Sequence, residues 1–375
     1  MNRIIPLSAA GYSALACLRA EGRGTQNILE RLFQPGGAQG WNRLRAGEPV
    51  FGHWKQADGE EVVVSIGSDD AIEIQCHGGI LSRDLLVESF LAEGCELVSW
   101  KDWIVQNSVN PIEAAAKRAL TEAKTHRVAM ILIDQLRGAL QNAIQTIIDR
   151  LINRNSSSAI QVLEKLTLQS NFGKHLKSGW SVALIGSPNA GKSSLINAIL
   201  GYQRSIVLSQ PGTTRDLLTA RTALEGWPIE LVDTAGLRSG GGPLETKGMT
   251  LALQQASRSD LVLLVADASC GWTEEQDQWR SQFENVLVVH NKQDLIQHHQ
   301  GDRPDGVPTV AIASNGVQQL CEQIVLRSVG RVPAHGVAVP FTPTQAEVLD
   351  AALDLVKSSK LNDAVELLSS LLHEA

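Results

Sequence analysis

Eight consecutive residues, Gly186-Ser187-Pro188-Asn189-Ala190-Gly191-Lys192-Ser193, follow the spacing GxxxxGK[ST], and their types suit the binding of a polyphosphate. Glycine at each end of the loop lets backbone N–H groups close around a phosphate, and a following helix turns its positive end toward the same place. Lys192 has the reach for the β- and γ-phosphates of a nucleoside triphosphate, and the Ser193 hydroxyl suits Mg²⁺. Asn189, Ala190, Gly191, Lys192, Ser193 and Ser194 are thus candidate nucleotide contacts. The competing reading is a glycine-rich turn without function. The apolar run Ser181–Ile185 before the loop and the helical pattern Ser193–Leu200 after it favour the phosphate site.

Further motifs follow in the order that a nucleotide site requires. Asp233-Thr234-Ala235-Gly236 ends an expected strand, Ile229–Val232; there Asp233 can hold Mg²⁺ through water and the Gly236 N–H can meet the γ-phosphate. Thr213-Thr214-Arg215-Asp216 lies between the two motifs, and a threonine hydroxyl there, assigned to Thr214, completes the Mg²⁺ shell. Asn291-Lys292-Gln293-Asp294 follows the expected strand Val286–Val289. A carboxylate at Asp294 accepts from the N1–H and 2-amino groups of guanine; adenine offers neither donor there and would leave the charge unpaired. That motif, in this order, turns a general NTPase expectation into GTP binding, with an ATPase or small-molecule kinase as the runner-up. For the last base contact either Val310-Ala311-Ile312 or Ile312-Ala313-Ser314 could serve, with Ala311 preferred. Many GTPases place a water-orienting glutamine after the DxxG segment. This chain has Leu237 there, with Arg215 and Arg238 nearby, so hydrolysis needs another source of positive charge and another group to orient water.

These motifs require a sheet to carry them. Strand candidates Ser181–Ile185, Ile229–Val232, Leu261–Val265, Val286–Val289 and Thr309–Ile312 alternate with helical patterns, which predicts a doubly wound α/β domain over 178–333. Before it, residues 1–105 mix short β-type runs with helices and read as a small α/β domain. Residues 106–177 and 334–375 carry apolar residues at helical spacing, Leu136, Leu140, Ile144 and Ile148 among them. They predict a helical domain into which the Ras-like P-loop GTPase domain is inserted, an α/β plus all-α fold overall. A net charge of −7 argues against wrapping nucleic acid by bulk electrostatics. Five scattered cysteines without a CxxC pair point to neither a zinc site nor a disulfide framework, and so to a reducing cytoplasm. The apolar run Leu261–Ala266 is far below the roughly 20 residues of a membrane span. The stretch Ile4–Leu18 is broken by Pro6, Ser8, Gly11 and Ser13, which argues against a signal peptide.

The chain resembles the TrmE/MnmE tRNA-modification GTPases. The resemblance rests on Gly11–Arg19, on the His77-Gly78-Gly79 motif preceded by Glu73-Ile74-Gln75-Cys76, on Glu113–Lys124, and on the phosphate loop with Gln210-Pro211-Gly212-Thr213-Thr214-Arg215-Asp216. It implies that hydrolysis depends on K⁺ and on dimerisation of the GTPase domains. Asn189, the Thr213 hydroxyl and the Leu208 and Gln210 carbonyls would then hold K⁺, and Glu245 would orient the attacking water. Without the resemblance, Asn189 reads as a turn residue and Glu245 as a solvated loop carboxylate. It further implies a homodimer built on the N-terminal domain, a formyl-tetrahydrofolate held in part by Arg19 and Glu73, and action on the tRNA wobble uridine with a flavin-dependent partner. Two departures stand out. Ser108 occupies the position of a family lysine, and the sequence ends Leu372-His373-Glu374-Ala375 where the family has Cys-Ile/Leu-Gly-Lys. A divergent dimeric regulatory GTPase without tRNA-modifying chemistry is therefore the alternative expectation.

Overall fold

The structure, a computed structural model, describes residues 1–8, 11–37, 40–45, 47–55, 59–67, 69, 71–202, 219–233, 253–296 and 303–373. The chain divides into two units, Met1–Val109 and Asn110–Ala375.

The first unit is a seven-stranded sheet in the order β3-β4-β5-β6-β2-β1-β7, formed by β1 (Arg3–Pro6), β2 (Leu15–Glu21), β3 (Phe33–Pro35), β4 (Val50–Trp54), β5 (Glu60–Ile66), β6 (Ile72–His77) and β7 (Glu96–Leu97). All neighbours are antiparallel except β1 and β7. Strict alternation in β2 and β6 buries Ala16, Leu18, Ala20, Ile72, Ile74 and Cys76 against Trp54, Leu86 and Phe90. The same alternation turns Arg19 and Glu73, which are register partners, onto the opposite face.

In the second unit a six-stranded sheet has the order β13-β12-β11-β8-β10-β9, from β8 (Trp180–Ile185), β9 (Thr219–Leu224), β10 (Trp227–Asp233), β11 (Leu261–Asp267), β12 (Val286–Asn291) and β13 (Val307–Pro308). Only the edge strand β9 is antiparallel. Val182, Leu184, Leu263 and Val265 face one apolar layer, and Ala183, Ile185, Val262 and Leu264 face another. Burial on both faces explains why these strands read as unbroken apolar runs. One expectation is corrected. Thr309–Ile312 is not a strand; the pairing ends at Pro308, and Ala311–Ala313 forms a 3₁₀ turn. The C-terminal part of the expected helical domain holds two helices, Pro343–Lys357 and Leu361–Ser369, broken where Ser359 takes a left-handed φ of 62°.

The helices before the sheet start as their caps dictate. Asn110 accepts from Glu113 N with Pro111 in the first turn, and Thr125 and Asn155 cap the helices that begin at His126 and Ser156. Leu140, Ile144, Leu151 and Leu163 share one apolar cluster with Leu349, Leu353, Val356 and Leu368 from beyond the sheet. The helical part is thus assembled from both ends of the unit. The chain enters the sheet at Gly179 and leaves it through a strap that two adjacent side chains grip. Asp134 accepts from Gly336 N (2.8 Å), while Gln135 donates to Val337 O (3.0 Å) and accepts from Val339 N (3.1 Å). At the entry side Phe172, His175, Trp180 and Trp227 pack ring against ring, with His175 stacked on Trp180 at 5.0 Å.

Candidate nucleotide site

Strand β8 ends at Ile185, and the chain turns at Gly186 with φ 145° into a loop that closes on the helix Lys192–Tyr202. A Cβ at Gly186 would fall onto the Val265 carbonyl, and one at Gly191, where φ is 93°, onto the Asn291 amide nitrogen. Both positions require glycine. The Lys192 side chain folds back over the loop, and its ammonium donates to Gly186 O and Ser187 O, each at 2.9 Å. With only 5% of its surface exposed, this charge is set under the place a phosphate would take. Ser193 Oγ donates to Asp233 Oδ2 at 2.9 Å, so the two expected Mg²⁺ residues, from different elements, already converge. The open cavity of about 450 Å³ beside them is lined by Pro188, Asn189, Gly191, Lys192, Ser193, Ser194 and Lys292.

The base side of the site is organised by Asn291. Its amide donates to Ala190 O at 2.9 Å and accepts from Ala311 N at 3.1 Å and from Thr309 Oγ1 at 3.3 Å. One buried side chain therefore ties the phosphate loop at the end of β8 to the turn beyond β13, across the intervening strands. The displaced strand end noted above places Ala311 N on this amide. Lys292 follows with a left-handed φ of 62° and reaches Asp267 Oδ2 at 2.7 Å. Asp294 lies exposed in the 3₁₀ turn Gln293–Leu295. Sequence reasoning identified Asn291 and Ala311 without their link, and it missed Thr309 and Asp267. The signal available for Asp267 was a carboxylate that closes the apolar run Leu261–Ala266.

Asn189, Ala190, Gly191, Lys192, Ser193, Ser194, Asp233, Asn291, Lys292 and Ala311 thus gather around one cavity and its floor. The expected contacts Leu208, Gln210, Thr213, Thr214, Thr234, Ala235, Gly236 and Glu245, together with Arg215, Leu237 and Arg238, lie outside the described residues. In the other unit, Arg19 donates to Glu73 Oε1 (3.1 Å), to Glu21 Oε1 (2.7 Å) and to Asp69, beneath the Trp103 ring at 5.4 Å. Ser108 bonds to Ile104 O at 2.6 Å.

A phosphate loop on a parallel sheet, with converging Ser193 and Asp233 and an Asn291 bridge to the base-side turn, defines a P-loop GTPase. A family model described as 50S ribosome-binding GTPase matches residues 181–292. A tRNA modification GTPase MnmE of Synechococcus sp. (strain RCC307) is 32% identical over 329 residues, covering 76% of this chain and 72% of that protein. The tRNA modification GTPase MnmE of Acaryochloris marina (strain MBIC 11017) is 28% identical over 361 residues, covering 84% and 78%. Among solved structures, the G domain of the T. maritima FeoB iron transporter is 26% identical, covering 39% of this chain and 96% of that one, with a TM-score of 0.29. The chain belongs to the MnmE family.

Proposed function

We propose that the protein is a K⁺-dependent, dimeric tRNA-modification GTPase that acts on the tRNA wobble uridine with a flavin-dependent partner. The observation that carries the nucleotide reading is the Asn291 bridge, which fixes the phosphate loop and the base-side turn as one unit. The tRNA reading rests on the family, whose members named above are tRNA modification GTPases. No helix among the described residues is long and apolar enough to cross a membrane.

Lys192 neutralises the β- and γ-phosphates of GTP, and Asp294 reads the guanine edge. Mg²⁺ fits the hydroxyl and carboxylate that converge at Ser193 and Asp233, hard oxygen donors that take this ion directly and through water; Thr214 completes that set. Asn189, exposed at the cavity with φ 60°, offers its amide oxygen to K⁺ together with the Thr213 hydroxyl and the Leu208 and Gln210 carbonyls. That cation supplies the positive charge an arginine would otherwise bring to the phosphates. Glu245 orients the attacking water in place of the glutamine that Leu237 replaces. Exposed Tyr12 and Leu81 give the N-terminal unit apolar surface for the homodimer. Arg19 and Glu73 fit a formyl-tetrahydrofolate, one for a ligand carboxylate and the other for ring N–H donors. Asp69 is the most exposed of the three carboxylates on Arg19 and is the one such a ligand would displace.

The test is mass spectrometry of wobble uridines in tRNA from a strain lacking the protein, beside GTP turnover by the purified chain. Loss of the modified nucleoside is expected. Intact wobble uridines with normal GTP turnover would leave the regulatory GTPase as the correct reading.

A further inference from the structure

Asp267 is the last residue of β11 and stands opposite Asn291 in the parallel register, with Ala268 N bonded to Asn291 O at 2.7 Å. Its two oxygens are divided. Oδ1 accepts from Ser269 N (2.9 Å) and Ser269 Oγ (2.6 Å), and Oδ2 accepts from Lys292 Nζ (2.7 Å). Burial raises the Asp267 pKa, but the Lys292 and Ser269 donors outweigh it and hold the carboxyl below its usual value. The ammonium of Lys292 is therefore tethered on the β11 side, while the same lysine lines the cavity together with Pro188 and Asn189.

A lysine side chain has four rotatable carbons and a point charge, and left free beside a triphosphate site it would sample many rotamers. Tethered at its tip, it becomes a fixed wall. The backbone adds to this, since the left-handed turn at Lys292 aims the side chain back toward β11. We propose that Asp267 is a positioning residue for guanine-nucleotide binding, which fixes the Lys292 chain as one wall of the nucleotide cavity and so preorganises the site. The inference rests on the guanine-nucleotide reading of that cavity. It separates two tasks: Asp294 reads the edge of the base, and the Asp267–Lys292 pair sets a surface that is indifferent to edge chemistry.

The test is a thermodynamic cycle on the full chain, with a fluorescent GDP analogue as probe and xanthosine and inosine diphosphates as competitors. Asp267→Ala weakens GDP binding by about tenfold, the lower range for losing one charge-assisted hydrogen bond. It weakens the other two diphosphates by the same factor, and Asp267→Asn, which keeps one acceptor, falls between wild type and alanine. In a Lys292→Met background, which retains the chain but no ammonium, Asp267→Ala has no further effect. Additive losses in that background, or a change in the ratio of the three bases, would overturn the proposal and leave Asp267 as a turn residue for Ser269. Failure of wild type to bind GDP would instead refute the guanine-nucleotide reading itself. Should Asp267→Ala not fold, the Asp267→Asn and Lys292→Met pair carries the same cycle.

Discussion

Replacing Asn291 with alanine removes three hydrogen bonds from one buried side chain, those to Ala190 O, Ala311 N and Thr309 Oγ1 at 2.9, 3.1 and 3.3 Å. The residue is 2% exposed, and water does not readily replace the lost partners. Ala190, at 1%, and Ala311, at 7%, are buried as well. Two backbone groups are thus left unsatisfied, each costing about 1–3 kcal/mol. The total, about 2–6 kcal/mol, is a large part of the about 5–15 kcal/mol by which a domain is stable. Urea unfolding followed by tryptophan fluorescence measures it, since Trp180 and Trp227 are both buried in the same unit. With a slope of about 2 kcal/mol per molar urea, the midpoint falls by about 1–3 M. GDP stabilises wild type by mass action, and this increment shrinks in the variant because the phosphate loop and the base-side turn are no longer tied. A midpoint within about 0.2 M of wild type, with the GDP increment intact, would refute the bridge as the organising contact of the site.

Asp294→Asn exchanges an acceptor for a donor, so competition binding should show lost GTP affinity and gained xanthosine triphosphate affinity. Hydrolysis should be fast in K⁺ and slow in Na⁺ and should rise with protein concentration; Asn189→Ala should abolish the K⁺ response while nucleotide still binds, and equal rates in both salts would exclude this role. Glu245→Ala should lower turnover by about 10²-fold, the scale of a lost acid–base group, and a change of only a few-fold would reassign the water-orienting role. Burial raises the Asp260 pKa, but donors from His175 and Ser181 outweigh it and bring the carboxyl down from 3.8 to about 2. A depressed carboxylate stabilises the fold above its ordinary pKa and loses that effect as pH falls toward the folded value. Thermal denaturation should therefore show this contribution intact above about pH 4 and lost between about pH 4 and 2, and Asp260→Asn should flatten the dependence.

The strands that carry the site were legible because parallel strands covered on both faces are continuous apolar runs, as Leu261–Val265 and Val286–Val289 are. The edge strand Thr219–Leu224 was not, since its sequence Thr-Ala-Arg-Thr-Ala-Leu carries little apolar pattern and its pairing comes from β10 alone. Thr309–Ile312 misled for a different reason. Its apolar composition suits a strand, but a tertiary contact, Ala311 N on Asn291, turns the chain there. Motif spacing named Lys192, Ser193, Asp233 and Asn291 because each acts on a ligand of fixed dimensions. Thr309 and Asp267 act on other side chains, and such roles depend on register between strands, which one sequence does not disclose. The helix start at Asn110 and Pro111 uses residue types that suit a cap, whereas the break at Ser359 rests on a left-handed residue with no glycine to announce it.

The chain crosses between the helices and the sheet of the second unit twice, at Gly179 on entry and at the strap gripped by Asp134 and Gln135 on exit, and the Phe172 and Trp227 rings and the His175–Asp260 pair bridge the same seam. A body hung from a single tether can swivel in any direction, whereas one crossed twice and packed along the seam between the crossings is held in one orientation. Strand β8 runs from the first crossing directly to the phosphate loop, so six residues of one buried strand are all that separate the helices from the nucleotide site.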